Sequence, residues 1–239
     1  MSAAPRESLG PPPSAGLRRL IAANAPLWAG EAEVFRVYWE SPRRTRETDL
    51  LWLARQCRKE LFDGVLPRLR SLESAIRALA GAGDHDALSA LAGGIQEELA
   101  HFRLFAEAYD AVRTPADALL DASLLERVEW PENRELARVR ARHRSENGEL
   151  GRRAEAFTEG GYCTLYTGGR TLAGRGGVDD AIARACAAVV EDEWGHMIEG
   201  IAGLDDGAFG DAEWERLTRL TTEQGPCRIH MRNATFGRP

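Results

Sequence analysis

The sequence predicts an all-α fold on three observations. Alanine, leucine, glutamate and arginine dominate the 239 residues while β-branched residues are sparse, and this composition favours helices. Apolar residues recur at helical spacing over several long stretches. No run alternates apolar and polar residues in the way that a half-buried strand does. A chain of this length can bury a sizeable core as one large domain without cross-links.

The predicted elements follow from start and stop signals along the chain. Residues 1–15 are rich in Pro, Ser and Gly and are expected to be disordered, whereas residues 16–239 are expected to form a single helical domain. The predicted helices are two short ones over 16–29 and 31–40, helix A over 46–80 with a possible kink at Pro67, helix B over 86–113, a connecting helix over 116–128, helix C over 132–167, helix D over 179–202 and a last helix over 211–224. The tail after 224 shows no strong pattern.

Charge and cysteine usage exclude several classes of function. A net charge of -6 argues against nucleic acid as the main partner, because phosphate binding needs clustered positive charge. Arginines crowd residues 134–144, but glutamates interleave them, which favours a solvated helix face. The four cysteines lack metal-binding spacing and are interpreted as reduced thiols of a cytoplasmic protein. No apolar run approaches the ~18 residues of a membrane span.

Two Glu-x-x-His pairs are the candidate functional motifs. Glu98 and His101 lie on helix B, and Glu193 and His196 lie on helix D. Residues three apart share one face of an α-helix, so a carboxylate oxygen and an imidazole nitrogen can reach the same metal ion. One such pair taken alone is more often a surface pair or a satisfied core histidine. Two pairs on separate amphipathic helices favour metal binding.

Helix D strengthens the metal interpretation. Ile182, Cys186, Val189, Glu193 and His196 follow the spacing of a buried stripe. A glutamate and a histidine on that stripe would be costly to desolvate unless they bind something. Carboxylate and imidazole ligands together suit iron or manganese.

The order and spacing of these motifs resemble the ferritin-like di-iron carboxylate superfamily, whose pattern is Glu, Glu-x-x-His, Glu, Glu-x-x-His over four helices. The resemblance covers about residues 46–202. It implies a four-helix bundle, here with additional N- and C-terminal helices. The bundle would hold two iron ions, with manganese as the other possible metal, and would use O2 as co-substrate. It also requires one carboxylate from helix A and one from helix C.

For helix A the preferred carboxylate is Glu60. It precedes Glu98 by 38 residues and shares a face with Leu53 and Cys57. Asp63 is the alternative, and Glu73 is a weaker one.

For helix C the preferred carboxylate is Glu159, which precedes Glu193 by 34 residues. Glu155, one turn earlier, is the alternative. Gly160 and Gly161 weaken a helix interior, so they suggest space beside the site for O2 and a substrate, although a plain helix end would explain them too. The predicted ligand set is therefore Glu60, Glu98, His101, Glu159, Glu193 and His196.

The resemblance implies an oxygenase or oxidase that acts on a small organic molecule and takes electrons from a separate donor; a homodimer is expected. Tyr162 and Cys163 are candidates for the pocket wall. Phe105 stands where the ribonucleotide reductase small subunit carries its radical tyrosine, so a tyrosyl radical of that kind is not expected. The alternatives are a heme-oxygenase-like di-iron oxidase, a ferritin-like iron-binding protein without enzymatic activity, and a helical interaction protein. Val189 argues against the first of these, because such relatives usually have a further histidine at that position.

Overall fold

The described part of the chain is all-α, as predicted. The computed structural model describes residues 13–78, 85–159, 161–202, 204 and 209–236, without the side chains of 159, 161, 162 and 194–202. No strand occurs within these residues. The helices are α1 (Ala15–Trp39), α2 (Arg46–Arg58), α3 (Leu66–Ala78), α4 (His85–Val112), α5 (Ala122–Arg127), α6 (Pro131–Asn147), α7 (Glu149–Glu159), α8 (Gly161–Arg170), α9 (Gly177–Ala202) and α10 (Asp211–Thr235), with a π-helical segment (Lys59–Val65) between α2 and α3.

The N-terminal helix is longer than predicted. Residues 1–12 of the expected tail lie outside the described residues, but the Ser14 side chain accepts a hydrogen bond from the Leu17 N–H and caps α1. The helical part thus begins at Ala15. The two short helices predicted over 16–40 are one helix that runs through Pro26, because packing against α8 and α10 outweighs the backbone bond that proline cannot make.

The C-terminal helix α10 also extends beyond its prediction, from Asp211 to Thr235. Beyond Leu220 its buried face is mostly polar, which is why the apolar periodicity ended early. These buried polar groups are bonded by side chains of neighbouring helices: Thr221 by Asn24, Gln224 by Thr158, and Arg228 and Arg232 by Glu31.

The prediction of one continuous helix C is wrong, because the chain turns at Gly148. This residue has a φ of 54°, a conformation that glycine adopts without a steric penalty. Helices α6 and α7 then pack against each other, and Arg144 pairs with Glu155 across the hairpin. Arg140 is buried there, so the prediction of a solvated arginine face is wrong for this residue.

The main core lies among α2, α4, α8 and α9. Helix α4 packs on α2, on the π-helical segment and on α9, while α8 packs on α9 and α1. Large buried side chains fill this centre, among them Trp52, Phe105, Leu165 and Ile182. The helix that precedes α6 is limited to α5, shorter than the predicted 116–128. In the described ranges, no helix combines the length and apolar character that crossing a membrane requires.

Candidate metal centre

Three predicted ligands come together between the π-helical segment and α4. Glu60 is 4 % exposed and His101 is 1 % exposed. The His101 Nδ1 atom lies 4.0 Å from Glu60 Oε2 and 4.0 Å from Glu98 Oε2. Within the part of the chain that the structure describes, these three residues form the group whose ligand atoms, all within 4.8 Å of one another, can hold a metal ion.

The local backbone explains how Glu60 and Glu98 approach. Glu60 lies in the π-helical segment, a form of helix that is rare and frequent at functional sites. One turn later Gly64 faces α4, where an added Cβ would lie 2.7 Å from Glu98 Oε2. A glycine at this position therefore leaves the space that the Glu98 carboxylate occupies.

Asp192 orients the ring of His101. The Asp192 carboxylate lies 3.1 Å from His101 Nε2, and because a carboxylate only accepts, Nε2 donates the proton. In the neutral ring the lone pair is then on Nδ1, which faces Glu60 and Glu98. This atom is buried and has no hydrogen-bond partner among the described residues. A buried acceptor without a partner is costly, whereas a metal ion would satisfy it.

The two carboxylates are close together in a poorly solvated place. Burial raises the pKa of Glu98 to about 7, and the charge of Glu60 adds to that rise. The guanidinium of Arg68, at 2.5 Å from Glu98 Oε1, acts in the opposite direction. A metal ion would remove the repulsion between the carboxylates and favour their ionised forms.

Tyr166 on α8 completes the surroundings of Glu60. Its hydroxyl donates a hydrogen bond to Glu60 Oε1 at 3.0 Å, while Glu60 Oε2 faces His101. The Tyr166 ring stacks on Phe105 at a centroid distance of 5.8 Å. The phenol beside the candidate ligands therefore comes from α8 and not from position 105.

The second motif reaches the same space through Glu193. A cavity of about 670 Å³ is lined by Glu60, Glu98 and Glu193. Asp192, the residue before Glu193, bonds His101 of the first motif. The side chain of His196 lies outside the described residues, and its backbone belongs to α9.

The alternative carboxylates pair with other side chains. Asp63 is held by Arg58 and Asn133 on the cavity wall. Glu155 pairs with Arg144, also on that wall. Glu73 lies on the outer face of α3 and pairs with Arg77. On helix A, these positions favour Glu60.

Other predicted residues are only partly placed. The side chains of Glu159 and Tyr162 lie outside the described residues, while their backbones belong to the end of α7 and the start of α8. Cys163 is buried, and burial, together with the charge of Glu193, raises the pKa of its thiol to about 11. It lines a separate pocket of about 530 Å³ between α1 and α8, beside Trp28 and Trp39.

Sequence reasoning missed three residues of the site: Asp192, Tyr166 and Arg68. Asp192 directly precedes the second motif, so its position beside a Glu-x-x-His pair could have marked it as a candidate residue of the site. Tyr166 lies seven residues after Glu159, two turns further along the chain. Arg68 gave no signal, because its partner Glu98 lies on another helix.

The residues fit a hard or borderline metal ion. Two carboxylates and an imidazole nitrogen surround one point, and the Nδ1 atom has no other partner among the described residues. Oxygen-rich sets with imidazole suit iron and manganese, whereas thiolates would be expected for a soft-metal site. The described cysteines are free thiols outside this group.

Gly64→Ala is expected to weaken metal binding by about tenfold or more without unfolding the chain. The new methyl group would displace the Glu98 carboxylate, the end of a flexible side chain, and would leave the backbone in place. Gly93→Ala on α4 is the matched control, since a Cβ there meets nothing within 4 Å. Fe(II) affinity and circular dichroism measure the two effects. Equal affinity in both variants would contradict the assignment of Glu98.

The raised pKa of Glu98 predicts a pH-dependent stability of the metal-free protein. Its pKa is about 7 in the folded chain against an ordinary 4.5, so the folded state holds the proton more tightly. This contribution is fully present below pH 4.5 and is lost as the pH rises through about 7. Denaturant titrations of chelator-treated protein should show that fall, and Glu98→Gln should flatten it. Glu97 is an exposed neighbour, and Glu97→Gln should leave the pH dependence of stability unchanged. The same pH dependence in both variants would refute the raised pKa of Glu98.

Comparisons with known proteins add no relative. The chain matches no protein-family model, no curated protein and no solved structure.

Proposed function

We propose that this chain is a non-heme di-iron oxygenase or oxidase that activates O2 to oxidise a small organic substrate. The observation that carries the proposal is the group of Glu60, Glu98 and His101, of which Glu60 and His101 are buried. The His101 Nδ1 atom faces the two carboxylates and has no other partner among the described residues. The proposed ligands are Glu60, Glu98, His101, Glu159, Glu193 and His196, with iron as the metal and manganese as the alternative.

The packing of α4 on α9 supports a shared centre for the two motifs. Glu193 lines the cavity that also contains Glu60 and Glu98, and Asp192 bonds His101. The proposed ferritin-like bundle consists of α2 with the π-helical segment and α3, of α4, of α7 with α8, and of α9. The remaining helices α1, α5, α6 and α10 are the additions to it.

Bound iron would supply the reduction of O2, with electrons from a separate donor. The protein's own groups hold the site. Asp192 keeps the proton of His101 on Nε2 and so presents Nδ1. Tyr166 holds Glu60 through Oε1 and leaves Oε2 toward His101. Arg68 is the counter-charge of Glu98.

The cavity favours an enzyme over an iron-storage protein. Its volume of about 670 Å³ lies within the range of small-molecule sites. Apolar side chains such as Leu136 and Met231 line it together with polar ones. Such a mixed lining suits an organic molecule better than a path for ions alone.

Anaerobic loading with Fe(II), followed by elemental analysis and O2 uptake, tests the proposal. We expect about two iron ions per chain and O2 consumption that depends on iron. Chain that binds no Fe(II) would refute the metal centre. Iron binding without O2 consumption would refute the oxygenase and leave a non-enzymatic iron protein.

A further inference from the structure

The wall of the metal-site cavity includes one face of the α6–α7 hairpin. On α6, Asn133, Leu136, Ala137, Arg140 and Arg144 follow helical spacing and all line the cavity. Arg152 extends this wall from α7. The arginine-rich segment of the sequence thus places two of its guanidinium groups beside the candidate centre.

These guanidinium groups differ in how firmly they are held. Arg140 is buried and bonds Gln224 and Thr158. Arg144 and Arg152 are more open, with 42 % and 61 % of their side chains exposed, and each pairs with a glutamate of α7. Exposed ion pairs contribute little free energy, so Arg144 and Arg152 can exchange these partners for a ligand at little cost.

The charge of the cavity becomes positive once metal is bound. Two divalent ions would neutralise the four carboxylates of the proposed ligand set. The rest of the wall then carries five cationic side chains against the two carboxylates of Asp63 and Glu155, a net charge of +3. The five cations are Lys59, Arg68, Arg140, Arg144 and Arg152.

We propose that the substrate of this centre is a small organic anion. Its carboxylate or an equivalent oxyanion would bind to Arg144 and Arg152, since guanidinium groups bind such oxygens in a bidentate manner. Its apolar part would lie against Leu136, Ala137 and Met231. This inference rests on the proposed function, because the positive charge of the wall depends on bound metal.

Binding of three probes of equal length and different charge tests the inference. Hexanoate, 1-hexanol and hexylamine are titrated calorimetrically into protein loaded with Mn(II), which avoids turnover. We expect hexanoate to bind at least about tenfold more tightly than either of the others. Equal binding of the three, or tighter binding of hexylamine, would overturn the proposal.

Arginine variants separate binding to the wall from binding to the metal. Arg144→Gln and Arg152→Gln should each weaken hexanoate by about tenfold while the Mn(II) content stays constant. Arg153→Gln is the matched control, because Arg153 follows Arg152, pairs with the same Glu149 and does not line the cavity. Unchanged affinity in all three variants would show that the metal alone binds the carboxylate, and would overturn the proposal.

The outcomes also distinguish this inference from the proposed function. Protein that takes up no Mn(II) and no Fe(II) overturns both. Protein that takes up metal and consumes O2 but shows no preference for hexanoate overturns the anionic substrate alone.

Discussion

Replacing Glu31 with alanine is expected to lower the free energy of unfolding by about 3–5 kcal/mol. Glu31 is 1 % exposed and lies between two equally buried guanidinium groups. Its Oε1 lies 2.9 Å from Arg228 Nη2 and 2.9 Å from Arg232 Nε. Burial raises the pKa of Glu31, but the two arginines outweigh it and the net direction is downward. Removing this carboxylate leaves two buried cations without their shared anion, where α1 meets α10.

Glu33→Ala is the matched control on the same helix. Glu33 pairs with Arg36 at the surface, and both side chains are more than half exposed, so its loss should change stability far less than the loss of Glu31. Chemical denaturation of both variants measures the difference. A Glu31→Ala protein as stable as Glu33→Ala would contradict a structural role for the buried ion cluster.

His101→Ala is expected to weaken Fe(II) binding by more than about 100-fold, since loss of an outer-shell partner alone costs about 10–100-fold. His101 supplies the nitrogen that faces both carboxylates, and without it only the Glu60 and Glu98 carboxylates of this group remain as ligands. The effect is to be measured as Fe(II) affinity under anaerobic conditions, with circular dichroism to verify the fold.

His230→Ala serves as the control for His101→Ala. His230 is exposed on α10 and lies outside the candidate group, so this variant should bind iron like the unchanged protein. If both histidine variants retained full affinity, the His101 site would not be the metal centre.

The proximity of the candidate residues was predictable where they share a helix. The spacing of Glu98 and His101 shows that they share one face of a helix. Leu53, Cys57 and Glu60 also share a helix face, which predicts that Glu60 points toward the core. The structure brings Glu60 close to Glu98 and His101, whereas Asp63 bonds Arg58 and Asn133.

The contacts between helices were not predictable in the same way. Asp192 bonds His101 across 91 residues, and Tyr166 bonds Glu60 across 106. Such pairs depend on tertiary packing, which the local pattern does not encode. The π-helical segment was missed because its extra residue per turn has no signature in local propensity.

The hairpin between α6 and α7 shows a further limit of the sequence pattern. Both helices have strong helical composition, and the turn between them is marked by Asn147-Gly148, a dipeptide that is typical of turns. The prediction of one helix C gave more weight to the helical pattern on both sides than to this dipeptide. Consequently the arginines of α6 were expected in solvent, whereas Arg140 is buried beside the cavity.

Anomalous diffraction at the iron edge, from crystals grown anaerobically with Fe(II), is the decisive measurement for a di-iron centre in this cavity. We expect two iron peaks, about 3.5–4 Å apart. One should be bound by Glu60, Glu98 and His101 Nδ1, and Glu193 should be among the ligands of the pair. The absence of iron from this cavity, or iron bound only at other residues, would contradict the proposed di-iron centre.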